Sequence, residues 1–203
     1  MTLEAIILDY GSVLVRTLDQ TPRASWERQR GLAPGSLERI VHNQSTWIAA
    51  QCGHMTPEAH WHDVGTTLGL SPTETATLRT TFYRGDVVNV ELVTRIDQLR
   101  AAGLRTALLS NFSAELREFL CTRDLACRFD HVAISAEIGA MKPDAAAYRA
   151  VLDMLALPTH ACVFIDDQAA NVQAAQILGL HGIVFRDNAS CLENLNRLLT
   201  NLA

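Results

Sequence analysis

From about residue 88 onward the chain alternates short apolar runs with amphipathic segments of helical spacing. That alternation constrains the fold more than any other feature, because strand–helix–strand crossovers produce a parallel sheet with helices on both faces. Leu92, Val93, Ile96 and Leu99 recur at helical spacing within 90–102, and Gly103 follows as a stop. Strands are expected over 106–109, 132–135, 162–165 and 183–185. Between them, helices are expected from Ser113 as cap to about Cys121, over 144–155, and over 169–178 ending at Gly179. Ser190 and Glu193 match a capping box for a last helix over 191–202. Residues 3–9 form an earlier apolar strand, Ala5-Ile6-Ile7-Leu8, that ends at Asp9 and turns through Tyr10-Gly11-Ser12. The fold class is therefore α/β with a parallel sheet.

Residues 16–85 differ in character. They lack strand patterning and read as several helices. Leu37, Ile40, Val41 and then Ile48 fall on one helical face. Thr56-Pro57 reads as N-cap and first residue of a helix carrying Trp61, Val64 and Leu68. Ser71-Pro72-Thr73-Glu74 is a capping box opening a helix with Leu78 and Phe82. The expected division is a core domain made of 1–15 and 86–203, with 16–85 inserted as a small helical bundle over the sheet's active edge.

The chain has 203 residues, 48% hydrophobic and 19% charged, enough to bury a sizeable core. A net charge of -5 with scattered Lys and Arg argues against a nucleic-acid partner, which calls for a basic face. Cys52, Cys121, Cys127, Cys162 and Cys191 are dispersed and odd in number. They are expected to be reduced, buried thiols of a cytoplasmic protein. The start of the sequence has no basic or long apolar leader, and no apolar run approaches the roughly 18 residues of a membrane span. The expected partner is a small molecule met by a monomer or homodimer.

Open α/β sheets place their chemistry at the carboxyl ends of their strands. Three such ends carry reactive groups, Asp9, Ser110-Asn111 and Asp166-Asp167, and Lys142, before Pro143 at a helix opening, would aim its ammonium at the same edge. A carboxylate can attack phosphorus and divide one hard displacement into two easier ones. Several carboxylates beside a charged substrate call for a divalent cation, and Mg²⁺ takes oxygen ligands from carboxylates, water and substrate. A hydroxyl with a neighbouring amide can hold phosphate oxygens, and a fixed ammonium offsets their charge.

Ile6-Ile7-Leu8-Asp9-Tyr10-Gly11-Ser12-Val13-Leu14, Leu109-Ser110-Asn111, Met141-Lys142-Pro143-Asp144 and Ile165-Asp166-Asp167-Gln168-Ala169-Ala170-Asn171 together resemble, in order, the four motifs of the haloacid dehalogenase superfamily. The resemblance covers essentially the whole chain. It implies a Rossmann-like core with a helical cap inserted after the first strand, and Asp9 as nucleophile with Lys142 as a catalytic partner. It further implies Mg²⁺ held by Asp9, the Gly11 carbonyl and Asp167, with Asp166 in the same cluster. Tyr10, Gly11, Ser110, Asn111 and Lys142 would surround the phosphate. The implied reaction is hydrolysis of a small phosphorylated metabolite.

One position departs from the pattern. Family phosphatases commonly carry a second aspartate two residues after the nucleophile as general acid and base, and this chain has Gly11 there. A subset of the family shares that glycine, phosphatases among them. The gap leaves open a catalytically weakened binding or regulatory protein. A metal-free 2-haloacid dehalogenase is a further alternative, against which the Asp166-Asp167 pair argues. His60 and His62 are two apart and make a poor metal pair on a helix; His54 is expected in a turn of the insertion. Trp26, Trp47 and Trp61 are expected in the core of the insertion or where it meets the sheet. Asn171 either reaches the metal shell or lies on a helix surface.

Overall fold

The computed structural model describes residues 2–42 and 45–202. Five parallel strands form one sheet in the order β5-β4-β1-β6-β7, where β1 is Ala5–Leu8, β4 Arg105–Ser110, β5 His131–Ile134, β6 Cys162–Asp166 and β7 His181–Val184. β1 lies at the centre, hydrogen-bonded to β4 on one side and β6 on the other, with Leu8 level with Leu108 and Ile165. All four of its residues are fully buried. Successive side chains of a strand point to opposite faces, so Ile6 and Leu8 join one apolar cluster while Ala5 and Ile7 join the other. Burying each of these Ile and Leu side chains contributes roughly 1.5–3 kcal/mol.

Helix α6 (Val90–Ala101) and helix α11 (Asn188–Asn201) supply the first cluster with Leu92, Ile96, Cys191 and Leu195, and α7 (Leu116–Thr122) adds Leu116 and Leu120. Helices α9 (Ala145–Leu155) and α10 (Ala169–Ile177) close the other face through Tyr148, Val151, Leu155 and Ala175. Between β5 and α9 lies the short helix α8 (Ser135–Ile138).

Two starts differ from the sequence expectation. Helix α11 begins three residues earlier, because the Asp187 carboxylate accepts from the Ser190 amide at 2.8 Å. An aspartate that reaches the amide three residues on is a strong N-cap, and Ser190 becomes a residue of the first turn. Helix α7 starts at Leu116 with Glu115 at its N-cap, and the buried Ser113 hydroxyl caps nothing.

The helical insertion lies between β2 (Val15–Thr17) and β3 (Asp86–Val88). These strands, unexpected from sequence, pair antiparallel as a two-stranded ribbon with Val15 opposite Val88 and Thr17 opposite Asp86. The insertion holds α1 (Thr21–Gln29), α2 (Ser36–His42), α3 (Ser45–Gln51), α4 (Pro57–Thr67) and α5 (Pro72–Phe82). Helices α4 and α5 open as expected: the Thr56 hydroxyl accepts from the Ala59 amide, and Ser71 and Glu74 complete a capping box. Leu37, Val41, Trp61, Val64, Leu78 and Phe82 form its core. Ile48 does not share that face. It sits on α3, a separate helix whose phase is set by buried Trp47 and Ala50, and is 54% exposed.

The cysteines also divide. Cys162 and Cys191 are buried, Cys52 is half-buried, and Cys121 and Cys127 are exposed, contrary to the expectation that all five pack inside. No described helix is long and apolar enough to cross a membrane.

Candidate active site

The carboxyl ends of β1, β4 and β6 converge on one cluster. Asp9 directly follows β1 and donates its amide to the Ile165 carbonyl at 2.9 Å, which fixes it against β6. The Lys142 ammonium is almost wholly buried and lies 2.7 Å from the Asp9 carboxylate and 2.7 Å from that of Asp166. Asp9, Asp166 and Asp167 each offer an oxygen, and these atoms lie within 4.8 Å of one another. Sequence reasoning named all of these residues, and the fold brings them together from positions up to 158 residues apart (9 to 167).

Burial sets the electrostatics. It raises the Asp9 carboxyl to about 6, and Asp166 pushes in the same direction, while the Lys142 charge opposes both. Asp167 is also held above the ordinary carboxylate range, first by burial and then by Asp166, against the pull of a Ser12 hydrogen bond and Lys142. Two carboxylates short of positive charge, in contact with a third, are an oxygen donor set suited to a hard divalent cation.

Asp166 stands apart within the cluster. It is fully buried, and its oxygens accept from Gln168 N at 2.7 Å, Asn171 Nδ2 at 3.1 and 3.0 Å, and the Lys142 ammonium. Asn171 is thus not a surface residue but reaches the acidic cluster through Asp166. It orients Asp166, and its own carbonyl is fixed by the Tyr148 hydroxyl at 2.8 Å.

The remaining site residues come from the adjoining loops. Ser110 is the buried last residue of β4. The Asn111 side chain donates to the Lys142 carbonyl and accepts from its amide, both at 2.8 Å, which ties the two loops together. The Tyr10 ring, by contrast, turns into the core, edge-on to Phe112 at 5.9 Å, and leaves only backbone at the catalytic edge. At Gly11, an added β-carbon would meet no atom within 4 Å, so the glycine is not imposed by crowding.

The insertion touches these loops directly. Gln51 donates to the Asn111 carbonyl at 2.9 Å, and the buried Ser135 hydroxyl donates to the Gln51 carbonyl at 2.7 Å. Gly53 follows at φ 74, where a β-carbon would stand 2.3 Å from the Ala136 carbonyl oxygen, so only glycine permits this approach. Trp47 packs edge-on against Phe112 at 5.1 Å, a contact between insertion and sheet domain, whereas Trp61 is buried in the core of the insertion and Trp26 packs against it. His54 is exposed, and His60 is buried with burial pulling its imidazole down to about 4. A further link absent from the sequence reading joins Arg79 of α5 to the buried Glu115 carboxylate at the start of α7.

Two cavities adjoin the insertion. One of about 750 Å³ lies among α4, α5 and α7, with Trp61, Tyr83 and Phe119 in its walls. The other, about 670 Å³, reaches Ser12 and Asp167. The second is the one in contact with the acidic cluster.

The model of the haloacid dehalogenase-like hydrolases matches residues 3–179. The chain belongs to this family. Among curated proteins it is 31% identical over 200 residues to the sesquiterpene phosphatase astK of Aspergillus oryzae, covering 95% of each chain. It is 28% identical over 207 residues to acyl-CoA dehydrogenase family member 10 of Mus musculus, covering 96% of this chain but only 19% of that longer protein. Among solved structures, a HAD family enzyme from Bacteroides thetaiotaomicron in complex with magnesium and inorganic phosphate superposes with a TM-score of 0.77 at 18% identity, over 94% of this chain and 98% of the other. That likeness is one of fold. The chain is therefore a haloacid dehalogenase-like hydrolase with a Rossmann-like core, a helical insertion after β1, and phosphatases among its relatives.

Proposed function

We propose that this hydrolase is a Mg²⁺-dependent phosphatase that acts on a small phosphorylated molecule through an aspartyl-phosphate. The observation that carries the reading is the buried Lys142 ammonium set between Asp9 and Asp166, beside an Asp167 carboxylate short of compensating charge. The 31% identity to a sesquiterpene phosphatase supports it. In this reading residues 16–85 act as the cap and the remainder as the catalytic domain.

Asp9 is the nucleophile and attacks phosphorus in line with the departing oxygen. Lys142, fixed by Asp166, neutralises Asp9 on one side and a phosphoryl oxygen on the other. Ser110, the Asn111 amide and the backbone of Tyr10 and Gly11 hold the other phosphoryl oxygens. Asp9 and Asp167, with the Gly11 carbonyl, would hold Mg²⁺. Asp166 already accepts from Gln168, Asn171 and Lys142, and serves chiefly to position the lysine. When bound, the cation supplies positive charge that keeps both carboxylates ionised and draws charge from the phosphoryl group. Water then cleaves the acyl phosphate and restores Asp9. Catalysis in such transfers is mostly positioning and electrostatics.

The test is phosphate release from p-nitrophenyl phosphate and a panel of metabolite phosphates. Turnover is expected with Mg²⁺, lost on chelation with EDTA and regained on adding Mg²⁺ back. Turnover indifferent to the metal, or binding of phosphorylated ligands without turnover, would sink the assignment; the second result favours the binding-protein alternative that Gly11 motivates.

Gly11 gives a second expected result. Because a β-carbon meets no atom there, Gly11→Asp is expected to supply the missing proton donor. General acid catalysis contributes about 10²–10⁴-fold, so the variant should hydrolyse benzyl phosphate, a substrate with a poor leaving group, about 10²-fold faster. A folded variant with no gain on that ester would show that a proton donor at this position does not limit turnover.

A further inference from the structure

The cavity that reaches Asp167 is lined by two guanidiniums that no protein group hydrogen-bonds or ion-pairs among the described residues. Arg16 projects from β2 and Arg186 follows Phe185 just beyond β7; both are exposed and both line the cavity beside Ser12 and Asp167. Among the described residues neither guanidinium has a hydrogen-bonded or ion-paired partner, although the charge of Arg16 helps hold the exposed Asp187 carboxyl low. Arg23, in the same wall, is the contrast. It donates to the Phe82 carbonyl and Thr17 and pairs with Glu38 and Asp86. Two uncommitted guanidiniums next to the reacting centre suit an anion, and arginine's planar fork matches phosphate.

Gly11 points to where that anion belongs. An alkoxide needs a proton as it leaves, and this chain has no side chain at the position that usually gives one. A phosphate leaves without one.

Resting on the phosphatase reading above, we propose that the substrate is an organic diphosphate, and that Arg16 and Arg186 hold its ester-side phosphate as the leaving group. An Asp9 oxygen bonds to the terminal phosphorus. The bond from that phosphorus to the bridging oxygen breaks, and its electron pair stays on the bridging oxygen. The organic monophosphate departs as an anion stabilised by the two guanidiniums, with no proton transferred to it. Water then adds to the phosphorus of the aspartyl-phosphate, which yields inorganic phosphate, the Asp9 carboxylate and one proton released to solvent. The organic group extends past exposed Leu18 at the cavity's edge.

The experiment compares benzyl diphosphate, benzyl phosphate and p-nitrophenyl phosphate with Mg²⁺, on the wild-type protein and on Arg16→Gln, Arg186→Gln and the double variant. p-Nitrophenolate also leaves without protonation but carries no second phosphate, so it separates the two ideas. The wild type is expected to turn over benzyl diphosphate with kcat/KM about tenfold or more above p-nitrophenyl phosphate, as one charged hydrogen-bond pair would give, and to accumulate benzyl phosphate. Each variant should lose about tenfold more on the diphosphate than on p-nitrophenyl phosphate. p-Nitrophenyl phosphate turnover with no preference for the diphosphate, or equal losses on both substrates, overturns this proposal and leaves the phosphatase reading intact. A protein inert towards all three overturns both.

Discussion

Asp9→Asn should lower phosphate release by about 10⁴-fold or more, the scale on which removing a covalent nucleophile is felt, while leaving the fold in place. The side chain sits at the end of the central strand and is nearly buried, so an isosteric amide fits the same space. Its effect on stability has a definite sign. The folded carboxyl is raised to about 6 from 3.8. Its favourable contribution is therefore complete below pH 4, where both folded and unfolded forms are protonated. That contribution is lost as pH rises through about 6, where the buried group must ionise. Without metal, the asparagine variant should match or exceed the wild type in Tm at pH 7, and the difference should shrink towards pH 4. Thermal melts in EDTA at the two pH values, with phosphate release measured in Mg²⁺, check both halves. Wild-type turnover by the variant would remove Asp9 as nucleophile.

Replacing Lys142 should cost both activity and stability. Its ammonium is 2.7 Å from each of two carboxylates and its side chain is 2% exposed. Lys142→Met fills similar volume but leaves Asp9 and Asp166 facing each other with no cation. Breaking a buried pair by removing one partner costs about 3–5 kcal/mol, and losing one preorganised charge at a reacting centre costs about 10²–10³-fold in kcat. Lys142 lowers the Asp9 carboxyl and Asp166 raises it, so removing the lysine moves that carboxyl further up. The stability deficit should be deepest near neutral pH and smaller in acid, where a protonated carboxyl no longer repels its neighbour. Denaturant melts in EDTA at pH 5 and pH 7.5, alongside kcat with Mg²⁺, give the readouts. A methionine variant as stable as the parent at neutral pH would show that the ammonium does not bind those carboxylates together in solution.

The parts of this site that were legible in the sequence are those written locally. A run such as Ala5-Ile6-Ile7-Leu8 must be buried, and the residue after such a run must lie at the strand's carboxyl end. Asp9, Ser110 and Asp166-Asp167 therefore fall at one edge on the sequence alone. Ser71 and Glu74 signalled their helix start in four residues and the structure agrees. The features that escaped depended on partners distant in sequence. The ribbon strands Val15–Thr17 and Asp86–Val88 are three residues each, too short for an alternating pattern, and exist because they meet. The role of Asn171 depends on Asp166 pointing at it, and that of Gln51 on the Asn111 carbonyl across the interface. Arg16 and Arg186 look like ordinary surface residues until the fold brings them to one cavity. At α11 two local signals competed, and the acidic side chain of Asp187 prevailed over the serine three residues later.

The paired strands at the mouth of the insertion carry one last implication. Because Val15–Thr17 and Asp86–Val88 run side by side, the chain leaves the sheet and returns to it at nearly the same place, so the insertion is covalently joined there and meets the sheet domain elsewhere only through non-covalent contacts such as Gln51–Asn111 and Trp47–Phe112. Its make-up can be exchanged without altering the strand order that fixes the reacting groups. On the phosphatase reading, selection can thus retune which molecule is admitted while the displacement chemistry is inherited unchanged.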